Sequence, residues 1–181
     1  FCAPAEGAGY QGVDLYTMTT SAPVGFGLQT CPTTANPQVQ TAAGGQLAGY
    51  TGTGHAMLWT APTGVGIDLH PTNLSGFSGS RLWGTNGSQQ VGFASGAERH
   101  AMLWNGTSNS AVDLNPTNLS SVTGTTATAT DGVHQVGFGS ANFGTSHALL
   151  WSGTGASAVD LHPSGFDSSV AIGTSGSHQV G

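Results

Sequence analysis

The stretch HAMLWNGTSNSAVDLNP, residues 100–116, recurs as HAMLWTAPTGVGIDLHP at 55–71 and as HALLWSGTGASAVDLHP at 147–163. In each copy a tryptophan lies four residues after the histidine, and an aspartate lies thirteen residues after it. The loop between them changes in composition but keeps its length, as expected of a repeated structural module. The spaced positions are His55, Trp59 and Asp68, then His100, Trp104 and Asp113, then His147, Trp151 and Asp160.

The segments between these copies repeat as well. A strand-like segment around Leu82 precedes a turn at Asn86-Gly87, and the matching turns are Asp131-Gly132 and Ser175-Gly176. Such dipeptides favour hairpins because they adopt positive φ cheaply. A Gln-Val-Gly segment follows each turn. Each repeat therefore predicts four short antiparallel strands. Because four-stranded repeats of about 45 residues are typical of propeller blades, we predict an all-β, four-bladed β-propeller.

We assign the whole chain, 1–181, to one propeller-like domain with repeats at 1–54, 55–99, 100–146 and 147–181. The first repeat is atypical. Its Val13-Asp14-Leu15 aligns with the later Val-Asp-Leu motifs and places Phe1 in the histidine slot, and an insertion follows around 17–37.

The two cysteines, Cys2 and Cys31, flank much of this first repeat. A disulfide between them would pin the insertion onto the first strand; the alternative is two free buried thiols.

The composition excludes several classes of function. The chain has two Lys+Arg, eight Asp+Glu and a net charge of −6, which is unsuited to a nucleic-acid partner or an anionic membrane surface. No apolar run approaches the roughly 20 residues that a membrane-spanning helix needs. Few charges, 30 glycines and paired cysteines favour an extracellular or cell-surface location. The chain starts at Phe1 rather than Met, so we expect that processing or truncation has removed an upstream segment.

The triplets His55-Ala56-Met57, His100-Ala101-Met102 and His147-Ala148-Leu149, each followed by Leu-Trp and later by Asp-Leu, resemble the HAF-type repeat of bacterial extracellular proteins. The resemblance covers residues 46–181 well and 1–45 weakly, and Met or Leu replaces the Phe of the family triplet throughout. It implies a secreted, propeller-like repeat protein. It implies no reaction, so no catalytic residue is transferred from the family.

The repeated His and Asp residues have two interpretations. In the structural one, each Asp, including Asp14, accepts hydrogen bonds from turn amides or from the histidine of its repeat. Repetition favours this interpretation, since an active site needs one special constellation rather than three equal ones. In the alternative, His55, His100 and His147 converge on a zinc ion. His70 and His162 lie at a turn that looks exposed, and Asn115 takes their place in the third repeat.

The recurring Trp59, Trp104 and Trp151 are predicted core residues. Trp83 does not recur and lies near Arg81, so this pair is the candidate for a specific ligand contact. Four Asn-x-Ser/Thr triplets are candidate glycosylation sites that also suit structural turns. They begin at Asn73, Asn86, Asn105 and Asn118.

From these observations we expect a non-enzymatic, secreted structural, adhesion or fibre-forming module that uses no cofactor or metal. Its partners would be other copies of itself or cell-surface and matrix components, glycans included. A carbohydrate-binding propeller is the second hypothesis, and a propeller enzyme is the third.

Overall fold

The computed structural model describes residues 38–60, 65–141 and 144–181, and this part of the chain is all-β. It contains short 3-10 turns but no α-helix, and it has no helix long and apolar enough to cross a bilayer. Cys2, Cys31, Asp14 and the predicted insertion around 17–37 lie outside the described residues.

In the described ranges fourteen strands form four antiparallel sheets, three with four strands and one with two. Sheet 1 contains β1 (Gln38–Ala43), β2 (Gln46–Tyr50), β3 (Ala56–Thr60) and β4 (Gly66–Asp68). Sheet 2 contains β5 (Gly79–Thr85), β6 (Gln90–Ser95), β7 (Arg99–Trp104) and β8 (Val112–Asp113). Sheet 3 contains β9 (Thr123–Thr130), β10 (Gln135–Ser140), β11 (Ser146–Trp151) and β12 (Val159–Asp160). Sheet 4 contains β13 (Gly173–Ser175) and β14 (His178–Val180).

Each sheet is a meander in chain order, and it begins in the middle of a sequence repeat. Sheet 2, for example, joins the last two strands of the repeat at 55–99 to the first two strands of the next repeat. The predicted hairpin turn at Asn86-Gly87 connects its first two strands, where Gly87 adopts φ 95°. Neighbouring repeats are therefore linked within one sheet as well as between sheets.

The sheets stack face to face because both faces of each central strand carry apolar side chains. In β7, Met102 and Trp104 face sheet 1 and are buried in a core that includes Ala56, Leu58 and Leu82. The equivalent pair in β11 is buried in a second core between sheets 2 and 3. A smaller third core joins sheets 3 and 4. The small Ala56 of sheet 1 lies in the same core as Trp104 of sheet 2.

We call this series of stacked sheets the row. Its first strands lie next to one another, since β5 packs against β1 and β9 packs against β5 and β13. The β-turns at the ends of these strands also meet. The amide of Gly176 in sheet 4 donates to the Asp131 carboxylate in sheet 3 at 2.9 Å. Among the described residues sheets 1 and 4 are the two ends of the row, and β13 packs on β9 and β10 of sheet 3.

Candidate functional site

The repeated His and Asp residues meet in all three complete sheets. The Nδ1 atom of His100 lies 2.8 Å from Oδ2 of Asp113, and the pairs His55–Asp68 and His147–Asp160 have the same 2.8 Å distance. The histidine lies at the beginning of the third strand and the aspartate is the last residue of the fourth, so the hydrogen bond between them connects these two strands. The thirteen-residue spacing in the sequence is therefore the spacing of two neighbours on adjacent strands.

The second carboxylate oxygen closes the turn that follows. Oδ1 of Asp113 accepts the backbone amide of Asn115 at 2.7 Å, and Asp68 and Asp160 accept the equivalent amides of His70 and His162. Each aspartate thus accepts both a ring N–H and a turn amide, as the structural interpretation of the repeat requires.

A hydroxyl at the start of the next sheet extends the network. The Ser80 hydroxyl accepts the amide of Ala56 at 3.0 Å and lies 3.1 Å from Nδ1 of His70. Thr125 and Ser169 make the equivalent contacts in the next two copies. Sequence analysis did not identify these three hydroxyls. In the sequence these residues are recognisable only as a Ser or Thr that recurs at one position of the repeat, and this pattern is weak in a chain rich in both residues.

His70 and His162 are half-buried rather than exposed, and each stacks on the first histidine of its network. The ring centroids of His55 and His70 lie 4.2 Å apart, and those of His147 and His162 lie 4.0 Å apart. In the last pair Nε2 of His162 donates to the Phe166 carbonyl at 3.0 Å, so in the neutral ring Nδ1 accepts from the Ser169 hydroxyl.

Two of these groups have shifted pKa values. Burial lowers the pKa of His70, and the neighbouring His55 lowers it further. Burial acts to raise the pKa of Asp160, but hydrogen bonds from the His147 ring and the His162 amide outweigh it and hold that pKa below its usual value. The lowered pKa of His70 favours its neutral ring, and the lowered pKa of Asp160 favours the ionised carboxylate that accepts the hydrogen bonds.

The network contains the residue types of a Ser-His-Asp triad without its connectivity. In a triad one histidine binds both the nucleophilic hydroxyl and the carboxylate. Here Asp68 binds His55, whereas Ser80 contacts His70, and Ser80 is only 1% exposed. The hydroxyl also accepts a strand amide, which fixes it in the sheet. The geometry suits strand locking better than attack on a substrate.

The three-histidine zinc hypothesis is not supported. His55, His100 and His147 belong to three different sheets. Within residues 38–60, 65–141 and 144–181 no three His, Cys, Asp or Glu side chains cluster closely enough to hold a metal ion.

Buried glutamines form a second repeated feature that sequence analysis missed. Gln90 and Gln135, both fully buried, each donate to a glutamine of the preceding sheet, Gln46 and Gln89 respectively. The Oε1 atom of Gln90 accepts the amide of Gly106 at 2.8 Å, and Oε1 of Gln135 accepts that of Gly153 at the same distance. Each glutamine thus links its own sheet to the previous one and to the loop after its third strand.

Arg81 and Trp83 lie on the exposed side of β5. The Arg81 guanidinium lies over the Tyr50 ring at 4.3 Å, and Trp83 is 44% exposed at a shift in the β5–β6 register. Strand alternation places both side chains on this face, since Ser80, Leu82 and Gly84 between and beside them are buried.

Three of the four candidate glycosylation asparagines make structural contacts. The Nδ2 atoms of Asn73 and Asn118 donate to the Ala111 and Ala158 carbonyls of the following sheet, both at 2.8 Å. Oδ1 of Asn86 accepts two amides of its own turn. Asn105 is exposed, and its backbone amide donates to the Ser110 hydroxyl.

Comparisons with known proteins give no family. No protein-family model, no curated protein and no solved structure matches the chain significantly.

Proposed function

We propose that this chain is a non-enzymatic, extracellular structural module of the HAF-repeat kind, in which the row follows propeller geometry and copies associate head to tail. Matrix building or adhesion at a cell surface would then follow from this association. The observation that supports the proposal is that large apolar side chains are exposed at both ends of the row within the described residues.

The first open end is the front face of sheet 1. Trp104 and Trp151 are fully buried against the preceding sheet, whereas their equivalent Trp59 is only partly buried. Val65, just before the neighbouring strand β4, is also 59% exposed. This face has the composition of an interior face, and within the described residues no sheet packs in front of it.

The second open end is at sheet 4. Large apolar side chains are exposed there, with Phe166 at 68%, Ile172 at 65% and Val180 at 62%. They border an apolar cleft of about 610 Å³. Contiguous exposed apolar surface of this kind marks interaction sites in soluble proteins.

The low charge of the chain supports dense packing of copies. With ten charged residues in 181, and with the repeated carboxylates occupied by internal hydrogen bonds, little like-charge repulsion opposes contact between neighbours. A heterologous contact of this kind generates rings or filaments according to the rotation between copies.

The native particle mass tests the proposal. We expect light scattering and electron microscopy of one sample to show an oligomer or filament rather than an 18.0 kDa particle. Trp59→Glu should dissociate it, because the charge would be placed on the open face. Trp83→Glu is the matched control, since Trp83 is exposed on β5, and it should assemble normally. A wild-type monomer at every concentration, or assembly unaffected by Trp59→Glu, would contradict head-to-tail association.

A second candidate function is carbohydrate binding, favoured by Trp83 beside the Arg81–Tyr50 pair. An exposed indole next to a guanidinium offers a stacking surface and hydrogen-bond donors for a sugar ring. A glycan array should then show one ligand class whose binding Trp83→Ala abolishes and Trp59→Ala retains. Binding that survives Trp83→Ala would remove this assignment.

A further inference from the structure

The two arginines of the chain have no acidic partner in the described residues. Arg81 and Arg99 are the only Lys or Arg residues in the sequence, and both are exposed. The Arg81 guanidinium lies over the Tyr50 ring at 4.3 Å, and that of Arg99 lies over the Phe93 ring at 4.5 Å. Each ion pair within residues 38–60, 65–141 and 144–181 joins a histidine to an aspartate, and neither guanidinium donates a hydrogen bond to a residue of these ranges. The N–H donors of both guanidinium groups are therefore available to a ligand.

An aromatic ring beneath a guanidinium prepares it for an external anion. The ring attracts the flat face of the guanidinium, whereas the N–H groups point outward in the plane of the group. Stacking therefore restricts the motion of the side chain without occupying its donors. Because two of these donors are parallel, they match the oxygens of a carboxylate or a similar oxyanion. Both arginines have the form of an oxyanion-binding group.

Neighbouring charge distinguishes Arg81 from Arg99. Arg81 lies on β5, and the strands that pack most closely on β5 carry no acidic side chain; they are β1, β2, β3, β6 and β9. Arg99 directly follows Glu98, whose exposed carboxylate offsets its charge. An anion is therefore attracted more strongly to Arg81.

Trp83 provides a second ligand-binding group on the same exposed side of β5. It lies two residues from Arg81, so the two side chains leave the strand about 7 Å apart. The indole is 44% exposed. The equivalent residue of sheet 3, Thr128, donates to the Ala171 carbonyl of sheet 4 at 2.7 Å. At this position sheet 2 has an exposed ring in place of a hydroxyl that joins two sheets.

The two side chains together match an acidic sugar. One face of a pyranose ring consists of C–H groups, which pack on an indole. The acid group of such a sugar is attached at the edge of the ring, within reach of a neighbouring guanidinium. A neutral sugar would leave the Arg81 charge unused, and an acidic peptide side chain would leave the Trp83 ring unused.

We propose that Arg81 and Trp83 form a binding site for an acidic sugar, with the acid group on the guanidinium and the sugar ring on the indole. This inference rests on the second candidate function, carbohydrate binding, and names the class of sugar. The acid group is a carboxylate or a sulfate ester, since both are oxyanions that match the guanidinium.

Calorimetric titration of the full chain tests the site. The probes are oligomers of galacturonate, glucuronate and mannuronate and a sulfated galactan oligomer, each compared with its uncharged methyl ester or desulfated form. We expect at least one charged probe to bind, and its uncharged form to bind about tenfold more weakly or less. Arg81→Ala should cause a similar loss, because hydrogen bonds to a charged group are the stronger kind. Arg81→Lys keeps the charge without the parallel donors and should lose less.

Arg99→Ala is the matched control. It removes the same charge from the same kind of aromatic support, but Trp104, the tryptophan of its strand, is buried. Nonspecific attraction between the chain and a charged probe would fall equally in the two alanine variants. We expect Arg99→Ala to retain binding.

Fluorescence tests the role of Trp83 independently. A bound sugar should protect the exposed indole from quenching by acrylamide, which is neutral and does not compete for Arg81. This protection should be absent in Trp83→Phe. Urea unfolding midpoints show that each variant is folded.

The outcomes separate the class of sugar from carbohydrate binding itself. Binding of a charged probe that Arg81→Ala weakens and Arg99→Ala retains supports the site, and the probe that binds identifies the acid group. Equal binding of charged and uncharged forms, unaffected by Arg81→Ala but abolished by Trp83→Ala, would overturn the acidic-sugar assignment while carbohydrate binding stands. Equal losses in Arg81→Ala and Arg99→Ala would also overturn it. Binding of no probe, charged or uncharged, would overturn both this inference and the second candidate function.

Discussion

Replacing Asp113 separates a structural role of the repeated network from a catalytic one. Asp113→Ala removes two hydrogen bonds, from His100 at 2.8 Å and from the Asn115 amide at 2.7 Å. Hydrogen bonds to a charged group contribute about 1.5–3 kcal/mol each. Because the Asp113 side chain is 35% exposed, solvent replaces part of this. We therefore expect a loss of about 2–3 kcal/mol in the free energy of unfolding.

Two matched variants sharpen the test. Asp113→Asn keeps an acceptor for the Asn115 amide, and its own amide can donate to the other His100 tautomer, so it should cost only about 1 kcal/mol. Asp68→Ala removes the equivalent hydrogen bonds. Because the Asp68 side chain is 54% exposed, the loss in free energy of unfolding should be about half that of Asp113→Ala.

Urea unfolding followed by tryptophan fluorescence measures these losses, since Trp104 and Trp151 are fully buried reporters. The Asp113→Ala midpoint should fall by about 1 M with the slope unchanged, at one fixed protein concentration. A midpoint within experimental error of wild type would refute the reasoning. Equal effects at Asp113 and Asp68, at a protein concentration low enough for the chain to be monomeric, would refute it as well. Loss of an activity with stability intact would instead indicate catalysis.

Three further predictions concern single positions. His70→Asn introduces the residue that Asn115 supplies at the equivalent position. Because the folded pKa of His70 lies below its unfolded value, the free energy of unfolding of the wild type should fall as pH drops from about 6.5. The unfolding midpoint of the variant should depend less on pH over that range. Burial acts to raise the pKa of Asp131, but three backbone amides and His134 lower it to about 2. Its contribution, roughly 1 kcal/mol after solvent screening, should be full above about pH 4 and lost as pH falls through 2, and an acid titration of Asp131→Ala should lack that step. Gly92→Ala should destabilise by about 3 kcal/mol or more by calorimetry, because its Cβ would lie 1.9 Å from the Arg81 carbonyl oxygen.

The sequence predicted the strands and the His–Asp neighbours because both depend on local periodicity. The thirteen-residue spacing relates His100 to Asp113, which meet across the neighbouring strands β7 and β8. Periodicity gives the length of a repeat but not where a sheet begins. The sheets start in the middle of the repeats at 55–99 and 100–146, and this is visible only in the strand pairing.

The hydroxyl and amide contacts between sheets could not be predicted in the same way. Ser80, Thr125 and Ser169 resemble many other hydroxyls in the chain, and their importance comes from the Ala56, Ala101 and Ala148 amides that point at them. Likewise, the asparagines of two glycosylation triplets bind carbonyls about 40 residues away. Such long-range partners leave no pattern in a single sequence.

Position in the row, rather than sequence, sets how much each copy of the network contributes. The Asp68, Asp113 and Asp160 side chains are 54%, 35% and 33% exposed, although their hydrogen bonds have equal lengths. Asp68 lies in sheet 1, where no described sheet stands in front. If a second copy covers that face, Asp68 and Trp59 become interior residues and their contributions approach those of Asp113 and Trp104. The cost of Asp68→Ala should therefore increase with protein concentration, whereas the cost of Asp113→Ala should not, and unfolding at a hundredfold range of concentrations measures the difference. Equal concentration dependence of the two variants would show that sheet 1 has no partner in solution.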